Sequence, residues 1–403
     1  MLSYEQARNK VIEQLGRSTA PCATVDLSLR DALGYVLALD VKTDREYPPF
    51  DRATRDGYAV RAADAAMGVK LPYVGEIKAG DSVTQPLAPG TCVQIMTGGA
   101  VPTGADAVVM IEFTAREGNL VCFKRAAEAG QNIVPRGREI AAGQTILSPG
   151  VRLGYAQLAL AAQVGKSQLT CAKKPRVAIL STGDELVSVR QTPGAFQIRN
   201  SNSVSLAAQV QIAGGEPVVL LNAADRTDDL KHKIKAGLRE DLLVLSGGVS
   251  MGTYDLVETV LKDLGAEFHF AAVAIRPGKP AVFGMCRGKP VFGLPGNPLS
   301  TMVTFELFVV PAIDLLSGAQ ARPLPLVEAR LAQGVKEKPG MTHFLPALVE
   351  WRHGTPYVKA LRWQGSGDTL AMAKANCFLV VGSEIENIAA GERVPVLMRK
   401  DML

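Results

Sequence analysis

The stretch "DLLVLSGGVSMGTYDLVETVLKDLG" occupies residues 241–265. Four apolar residues, Leu242 to Leu245, run straight into Ser246, Gly247, Gly248, Val249 and Ser250. A short apolar run that stops at a glycine pair reads as a buried strand. A helical pattern starts near Tyr254, with Leu256, Val260 and Leu264 on one face. Strand, glycine loop and helix in that order are the building unit of an α/β sheet. The loop is either a tight turn or a cradle for an anion, and its neighbours decide which.

Outward from this stretch, the alternation of strand and helix continues from 174 to about 320. Strands are predicted at 176–181, 217–221, 242–246, 267–272, 280–284 and 290–293, and helices at 202–213, 228–238, 254–264 and 298–310. Leu230, Ile234 and Leu238 form one buried helix face. Such alternation implies a doubly wound, largely parallel sheet.

Before it, Ser3 and Gln6 form a capping box for a helix carrying Ala7, Val11 and Leu15, which Gly16 stops. A second short helix is predicted over Ser28–Ala38. Pro48 and Pro49 then enforce extension, and Asp56-Gly57 reads as a turn. From Tyr58 to Gly143, β-like runs ("YAV", "PYVGEI", "CVQIM", "AVVMIE", "NLVCF") alternate with glycine and proline, the pattern of a small all-β domain. "LGYAQLALAAQVG" returns to helix, so this domain is inserted between two helical pieces. After 323, apolar runs between turns ("LPLVEARL", "FLPALVEW", "PYVKALRW", "CFLVVG", "RVPVLM") read as a small β-barrel or sandwich.

Composition narrows the function. With 403 residues the chain is long enough for two to four domains. Its net charge of +5 is spread without a Lys/Arg block, which disfavours nucleic acid and suits a small anionic substrate. No run approaches the roughly 20 apolar residues of a membrane helix, and the N-terminus has no secretory signal. The six scattered cysteines read as reduced thiols of a cytoplasmic protein. The four histidines have no ligand spacing. "VGKS" at 164–167 lacks the earlier glycine of a P-loop, with Leu160 in its place, and no G-x-G-x-x-G follows a strand.

Three predicted strands end in unusual loops: Ser181, Thr182, Gly183, Asp184 and Glu185; Ser246 through Asp255; and Gly293 through Ser300, which holds Pro295, Asn297 and Pro298. In an open α/β sheet, ligands bind outside the carboxyl ends of strands. Small residues and free N–H groups there suit phosphate. Asp184, Glu185 and Asp255 add carboxylates able to hold a divalent cation beside it. "RPGKP" fixes Arg276 and Lys279 between prolines, as oxyanion donors or a basic surface turn. Thr97, before two glycines, and Asp56 are ligand contacts or ordinary turn residues.

"PPFDRATRDGYAV", "IMTGGAVPTGADAVV", "RVAILSTGDELV", "IRNSNS", "LSGGVSMGTYDLVE", "RPGKPAVFG", "GLPGNPLS" and "QGSGDTLAMAKAN" follow one another in this order over nearly the whole chain. In this the sequence resembles the molybdopterin molybdenumtransferase family (MoeA, and the E domain of gephyrin). The resemblance implies a multidomain α/β plus β protein with four domains. A helical linker domain comes from 1–45 and 144–173, and an inserted small β domain from 46–143. A MogA-like doubly wound α/β molybdopterin-binding domain covers 174–322, and a C-terminal β-barrel 323–403. It implies a cytoplasmic homodimer whose active site joins the α/β domain of one subunit to the small β domain of the other, bringing Asp56 and Thr97 to the crevice. The implied reaction takes adenylylated molybdopterin and molybdate, releases AMP and forms molybdenum cofactor with Mg²⁺. Asp56, Thr97, Glu185 and Asp255 are the implied catalytic residues, and Glu185, Asp225 and Asp255 the metal ligands. Ser181, Thr182, Asp184, Ser246, Gly247, Gly248, Ser250, Pro295, Asn297 and Pro298 are implied for substrate binding, with the Ser246–Ser250 loop around the pterin phosphate, and Arg276, Lys279 and Ser366 for molybdate. Contacts with molybdopterin adenylyltransferase and apo-molybdoenzymes are expected; nucleic acid and membrane are not.

The chain departs from the family pattern at several positions. Arg55 stands before Asp-Gly where the family has Met, and "GREI" replaces "GEDI" at Arg138 and Glu139. "GRxxFxR" reads "GMTHFLP", so Met341 and Pro346 replace two arginines, the second an expected molybdate ligand. A lost donor of this kind weakens oxyanion binding by about 1.5–3 kcal/mol unless Arg352 or His343 substitutes. A non-catalytic paralogue that binds molybdopterin or cofactor as a carrier or scaffold is the alternative function.

Overall fold

The structure is a computed structural model describing residues 1–17, 22–248 and 256–402. Within 174–320 the strands are β1 (Arg176–Ser181), β2 (Glu216–Val219), β3 (Leu242–Ser246), β4 (Ala266–Phe270), β5 (Val282–Cys286) and β6 (Lys289–Leu294). The sheet order is β2-β1-β3-β6-β5-β4. The first four strands are mutually parallel, and β5 and β4 add an antiparallel edge. Helices α1 (Asn202–Ala213), α2 (Thr227–Gly237) and α3 (Leu256–Asp263) connect or follow the strands. The two faces of the sheet bury different residues. Val177, Ile179, Leu242 and Val244 join Leu206 and Val210 of α1 in one core. Ala178, Leu180, Leu243 and Leu245 join Leu230 and Ile234 of α2 and Val257 and Val260 of α3 in another. Burial on both faces is why these strands read as unbroken apolar runs rather than alternating ones.

A helical run follows β6: an α segment (Pro298–Thr304), a π-helical segment (Phe305–Val309) and a second α segment (Val310–Leu316). By length and composition Pro298–Leu316 is apolar enough to cross a membrane. This corrects the expectation that no run approaches that length. The fold itself covers it: Leu299, Val303, Phe305, Leu307, Phe308 and Ile313 are buried in the first core.

The chain divides into two compact units, residues 1–38, 149–154 and 168–403, and residues 39–148 and 155–167. In the first unit, the N-terminal helix Tyr4–Gly16 has the capping box read from Ser3 and Gln6 and buries Ala7, Val11 and Leu15. The helix expected over Ser28–Ala38 is absent. Thr24–Ser28 is a strand, and the chain makes one turn in which the amides of Asp31 and Ala32 donate to the Ser28 carbonyl. Gly34, at φ 79°, ends that turn, and Val36 and Leu37 pair with Cys171 and Ala172. The apolar spacing that looked helical belongs to strand residues in a three-stranded sheet, a tertiary override of local pattern. The C-terminal strands Leu326–Leu331, Thr342–Arg352, Thr355–Ala360, Cys377–Val381 and Arg393–Met398 close into a five-stranded barrel, so of the two all-β alternatives the barrel holds. The strand Ile275–Arg276 pairs with its Thr342–His343 segment.

The second unit holds a six-stranded sheet that includes Gly57–Val60, Lys70–Ile77, Cys92–Ile95, Ala107–Met110 and Leu120–Phe123. These are the β-like runs read from the sequence. All six cysteines are free.

Candidate active site

The three loops singled out in the sequence leave adjacent parallel strands at one edge. Ser181 of β1 is in register with Ser246 of β3, and Ser246 with Leu294 of β6. Their ends border a crevice of about 580 Å³, whose lining includes Thr182, Gly183, Glu185, Asp225, Ser246, Gly247, Gly248, Pro295, Asn297 and Pro298. Residues far apart in sequence thus meet where the sheet runs out, the position at which α/β folds bind ligands.

The glycine pair has a steric reason. Gly247 (φ 93°) and Gly248 (φ 64°) are both left-handed. A Cβ on Gly247 would sit 2.6 Å from the Thr182 carbonyl oxygen, and one on Gly248 2.8 Å from Thr182 Oγ1. The Gly247 amide donates to the Leu294 carbonyl at 3.2 Å. That amide is therefore spent on the sheet. Ser250 and Asp255 lie outside the described residues. Gly247→Ala is expected to cost roughly 1–3 kcal/mol through strain and displacement of Thr182. A lower melting transition would check this; a wild-type value would refute it.

Asn202, absent from the candidates drawn from the sequence, joins the loops. Its Nδ2 donates to Ser246 Oγ at 2.8 Å and to the Gly296 carbonyl at 2.7 Å. Thr182 Oγ1 and Asn202 Oδ1 are buried without a hydrogen-bond partner among the described residues. Unsatisfied buried polar atoms concentrate where a ligand or water completes them. The signal for Asn202 was in "IRNSNS", but nothing local assigned it a partner. Ser181 and Asp184 are not among the lining residues: Ser181 Oγ donates to Asn200 Oδ1 at 3.3 Å, and the exposed Asp184 accepts through Oδ1 from the Asp225 amide at 3.1 Å.

A second cavity of about 330 Å³ is lined by Arg276, Lys279, Ser300, Met341, Trp363 and Ser366, among others. Pro280, Pro295 and Asn297 line both cavities, so the two adjoin. The Ser366 loop is held by Asp368, which caps the helix Thr369–Lys374 and accepts from the amides of Ala371 and Gln364, each at 3.0 Å. Those bonds, from Ala371 first, hold the Asp368 carboxyl below the usual carboxylate range.

The missing arginine that bears on this cavity is at Met341, a lining residue. Pro346 is not among the lining residues; it is buried in a barrel strand opposite Phe378. Neither expected substitute is among the lining residues. His343 is 1% exposed, with Nε2 3.0 Å from the Lys338 carbonyl and Nδ1 2.9 Å from Glu337 Oε2. Arg352 pairs with Glu350 at 3.1 Å and lies over Tyr357.

In the other unit, Asp56 Oδ1 accepts from the Thr97 amide at 2.6 Å and from Thr97 Oγ1 at 2.7 Å. These two bonds, the amide first, hold the Asp56 carboxyl below its ordinary range. The two residues therefore form one exposed pair. Glu139 of "GREI" pairs with Arg52 at 2.8 Å. Among the described residues no group of three or more His, Cys, Asp or Glu is arranged to hold a metal.

Comparison with known proteins agrees with this architecture. The chain matches the MoeA N-terminal region (domain I and II) over residues 2–165, a probable molybdopterin binding domain over 178–315, and the MoeA C-terminal region (domain IV) over 328–398. It is 34% identical over 400 residues to a molybdopterin molybdenumtransferase of Haemophilus influenzae, covering 98% of each chain. It is 34% identical over 385 residues to one of Bacillus subtilis, covering 93% of this chain and 90% of the other. The molybdopterin biosynthesis MoeA protein of Pyrococcus horikoshii superposes with a TM-score of 0.80 at 27% identity, covering 99% of this chain and 100% of that one. The three matched regions, the full-length relatives and the paired cavities at one sheet edge make this chain a member of the molybdopterin molybdenumtransferase (MoeA) family.

Proposed function

We propose that this transferase of molybdenum cofactor biosynthesis inserts molybdenum from molybdate into adenylylated molybdopterin, with release of AMP. The observation that carries the reading is the shared wall of the two cavities. A crevice with a glycine loop, suited to phosphate, adjoins a pocket with Arg276, Lys279 and Ser366, suited to a tetrahedral oxyanion. Neighbouring sites convert a two-substrate reaction into one between held partners.

In this reading the loop that begins at Ser246 receives the pterin phosphate beyond Gly247, whose amide is held by the sheet, and Thr182 and Asn202 satisfy their free atoms on the ligand. Arg276 and Lys279 hold molybdate by charge-assisted bonds. Glu185 and Asp225 both line the crevice, and with Asp255 they offer hard oxygen ligands. Mg²⁺ takes one or two carboxylates together with substrate phosphates, which fits this donor set. When bound, it would neutralise the diphosphate and the charge on the departing phosphate. The reading includes a cytoplasmic homodimer in which the Asp56–Thr97 pair of one subunit completes the crevice of another. It also includes transient contacts with molybdopterin adenylyltransferase and apo-molybdoenzymes.

The substitution at Met341 favours a second reading, a carrier that binds molybdopterin or cofactor without inserting metal. AMP release from adenylylated molybdopterin, with Mg²⁺ and with or without molybdate, separates the two. Molybdate-stimulated release is the expected result, and Met341→Arg should lower the KM for molybdate about tenfold or more. Tight pterin binding with no release from either protein would leave the carrier.

A further inference from the structure

A groove of about 620 Å³ lies wholly within the second unit. Two stretches line most of it, residues 74–77 at the end of the strand Lys70–Ile77 and residues 81–88 of the chain that follows. Side chains alternate across a strand, so four consecutive lining residues place the backbone at the wall as well. On one side this strand pairs with Cys92–Ile95. On the other, only Lys70, Leu71 and Pro72 pair, with Cys122, Val121 and Leu120, and the Tyr73 amide makes the last bond, to the Asn119 carbonyl. Residues 74–77 are therefore a free strand edge among the described residues. After them the chain turns back. The Asp81 amide donates to the Lys78 carbonyl at 3.1 Å, and the Lys78 amide to Asp81 Oδ2 at 2.7 Å. Yet residues 82–85 make no backbone hydrogen bond among the described residues. The chain turns as a hairpin does, but its second arm stays unpaired. Ile77, Leu87 and Val93 of a buried core also line the groove, and Val74 is 57% exposed. The charged lining residues are Glu76 and Asp81, with no Lys or Arg beside them among the described residues.

We infer that this groove is a docking site for an extended, basic segment of a partner protein, which adds to the free edge at residues 74–77 as a strand. A free edge is a template for pairing with another chain, and strand addition is a recurring mode of peptide recognition. The backbone of the incoming segment supplies the N–H and C=O groups that the edge lacks. Its alternate side chains point to opposite sides. Aliphatic ones on one side cover Ile77, Leu87 and Val93. Lys or Arg on the other side meets Glu76 and Asp81, where Asp or Glu is repelled. The acidic lining thus sets the sign of the partner, because complementary charge selects partners and like charge rejects them.

The test uses the full-length protein and three acetylated hexapeptides. One is Lys-Val-Lys-Val-Lys-Val, the second has Glu for each Lys, and the third is the basic peptide methylated at alternate backbone nitrogens. The methyl signals of Val74, Val83 and Val93 locate the binding. The basic peptide should bind with a Kd below about 1 mM and about tenfold tighter than the acidic one. The methylated form keeps the charges and side chains but loses backbone donors, and should bind about tenfold more weakly. Glu76→Lys combined with Asp81→Asn, which keeps the acceptor for the Lys78 amide, should bring the basic and acidic peptides within about twofold or reverse their order. No binding of the basic peptide up to about 1 mM would overturn the inference. So would equal binding of the acidic or the methylated peptide, or signals that move only at other valines. Self-association of the protein that Glu76→Lys abolishes would give the groove to a second copy and overturn the assignment to a partner. Should the variant not fold, the peptide series on the unaltered protein decides alone.

Discussion

Removing both cations of the oxyanion cavity, as Arg276→Ala with Lys279→Ala, is expected to raise the KM for molybdate by roughly 10²–10⁴-fold. Each charge-assisted bond to an oxyanion contributes about 1.5–3 kcal/mol, and no other Lys or Arg lines the cavity among the described residues. Met341 occupies the position from which a third cation would act, while His343 and Arg352 are held by Glu337 and Glu350. Affinity for the pterin substrate should change far less, because neither side chain lines the adjoining crevice. Initial rates of AMP release across molybdate concentrations, with pterin binding measured separately, distinguish these effects. An unchanged KM would mean that molybdate enters elsewhere. A parallel loss of pterin affinity would mean that the variants disturb the shared wall at Pro280 and Pro295 rather than a separate anion pocket.

The second large effect concerns stability. Asp314 is fully buried and is the hub of an ionic cluster. Its Oδ1 lies 3.1 Å from Arg152 Nη2 and 2.7 Å from Arg322 Nη2, and its Oδ2 accepts from the amide and Nε of Arg322, each at 3.0 Å. Arg8 of the N-terminal helix donates nearby to the Leu307 carbonyl at 2.9 Å. The cluster ties the helical run 298–316 to the segment around Arg152 and to the chain that enters the barrel. Asp314→Ala leaves two guanidinium groups facing one another across a buried gap. Breaking a buried pair on one side costs about 3–5 kcal/mol, which for a unit of this size lowers the melting transition by roughly 10 °C. Thermal denaturation of the variant, beside an Asp314→Asn control that keeps the acceptor but not the charge, measures it. A shift below about 2 °C would show that the arginines find other partners.

Much of the architecture was legible in the sequence, because the relevant physics is local. Buried parallel strands announce themselves as apolar runs, and amphipathic helices as a 3.6-residue period, so β1, β3 and α1 begin and end where the pattern puts them. The glycine pair after Ser246 was legible for the same reason. Its requirement for left-handed backbone is a property of those residues. The segment Ser28–Ala38 was misread because Val36 and Leu37 carry the same apolar signal in a strand as in a helix. The choice was made by distant partners at Cys171 and Ala172.

The site divides along the same line. The sequence by itself determined that three strand ends carry loops rich in glycine and hydroxyl residues, and that two cations stand among prolines in "RPGKP". Tertiary structure alone decided which residues complete them. Asn202 reaches across to Ser246 and Gly296, Ser366 meets Asn297 from 69 residues further along the chain, and Met341 rather than Pro346 lines the cavity with Arg276 and Lys279. The physical reason is that backbone preference and hydrophobic period act over a few residues. The closure of a cavity is instead set by the packing of elements brought together from opposite ends of the chain.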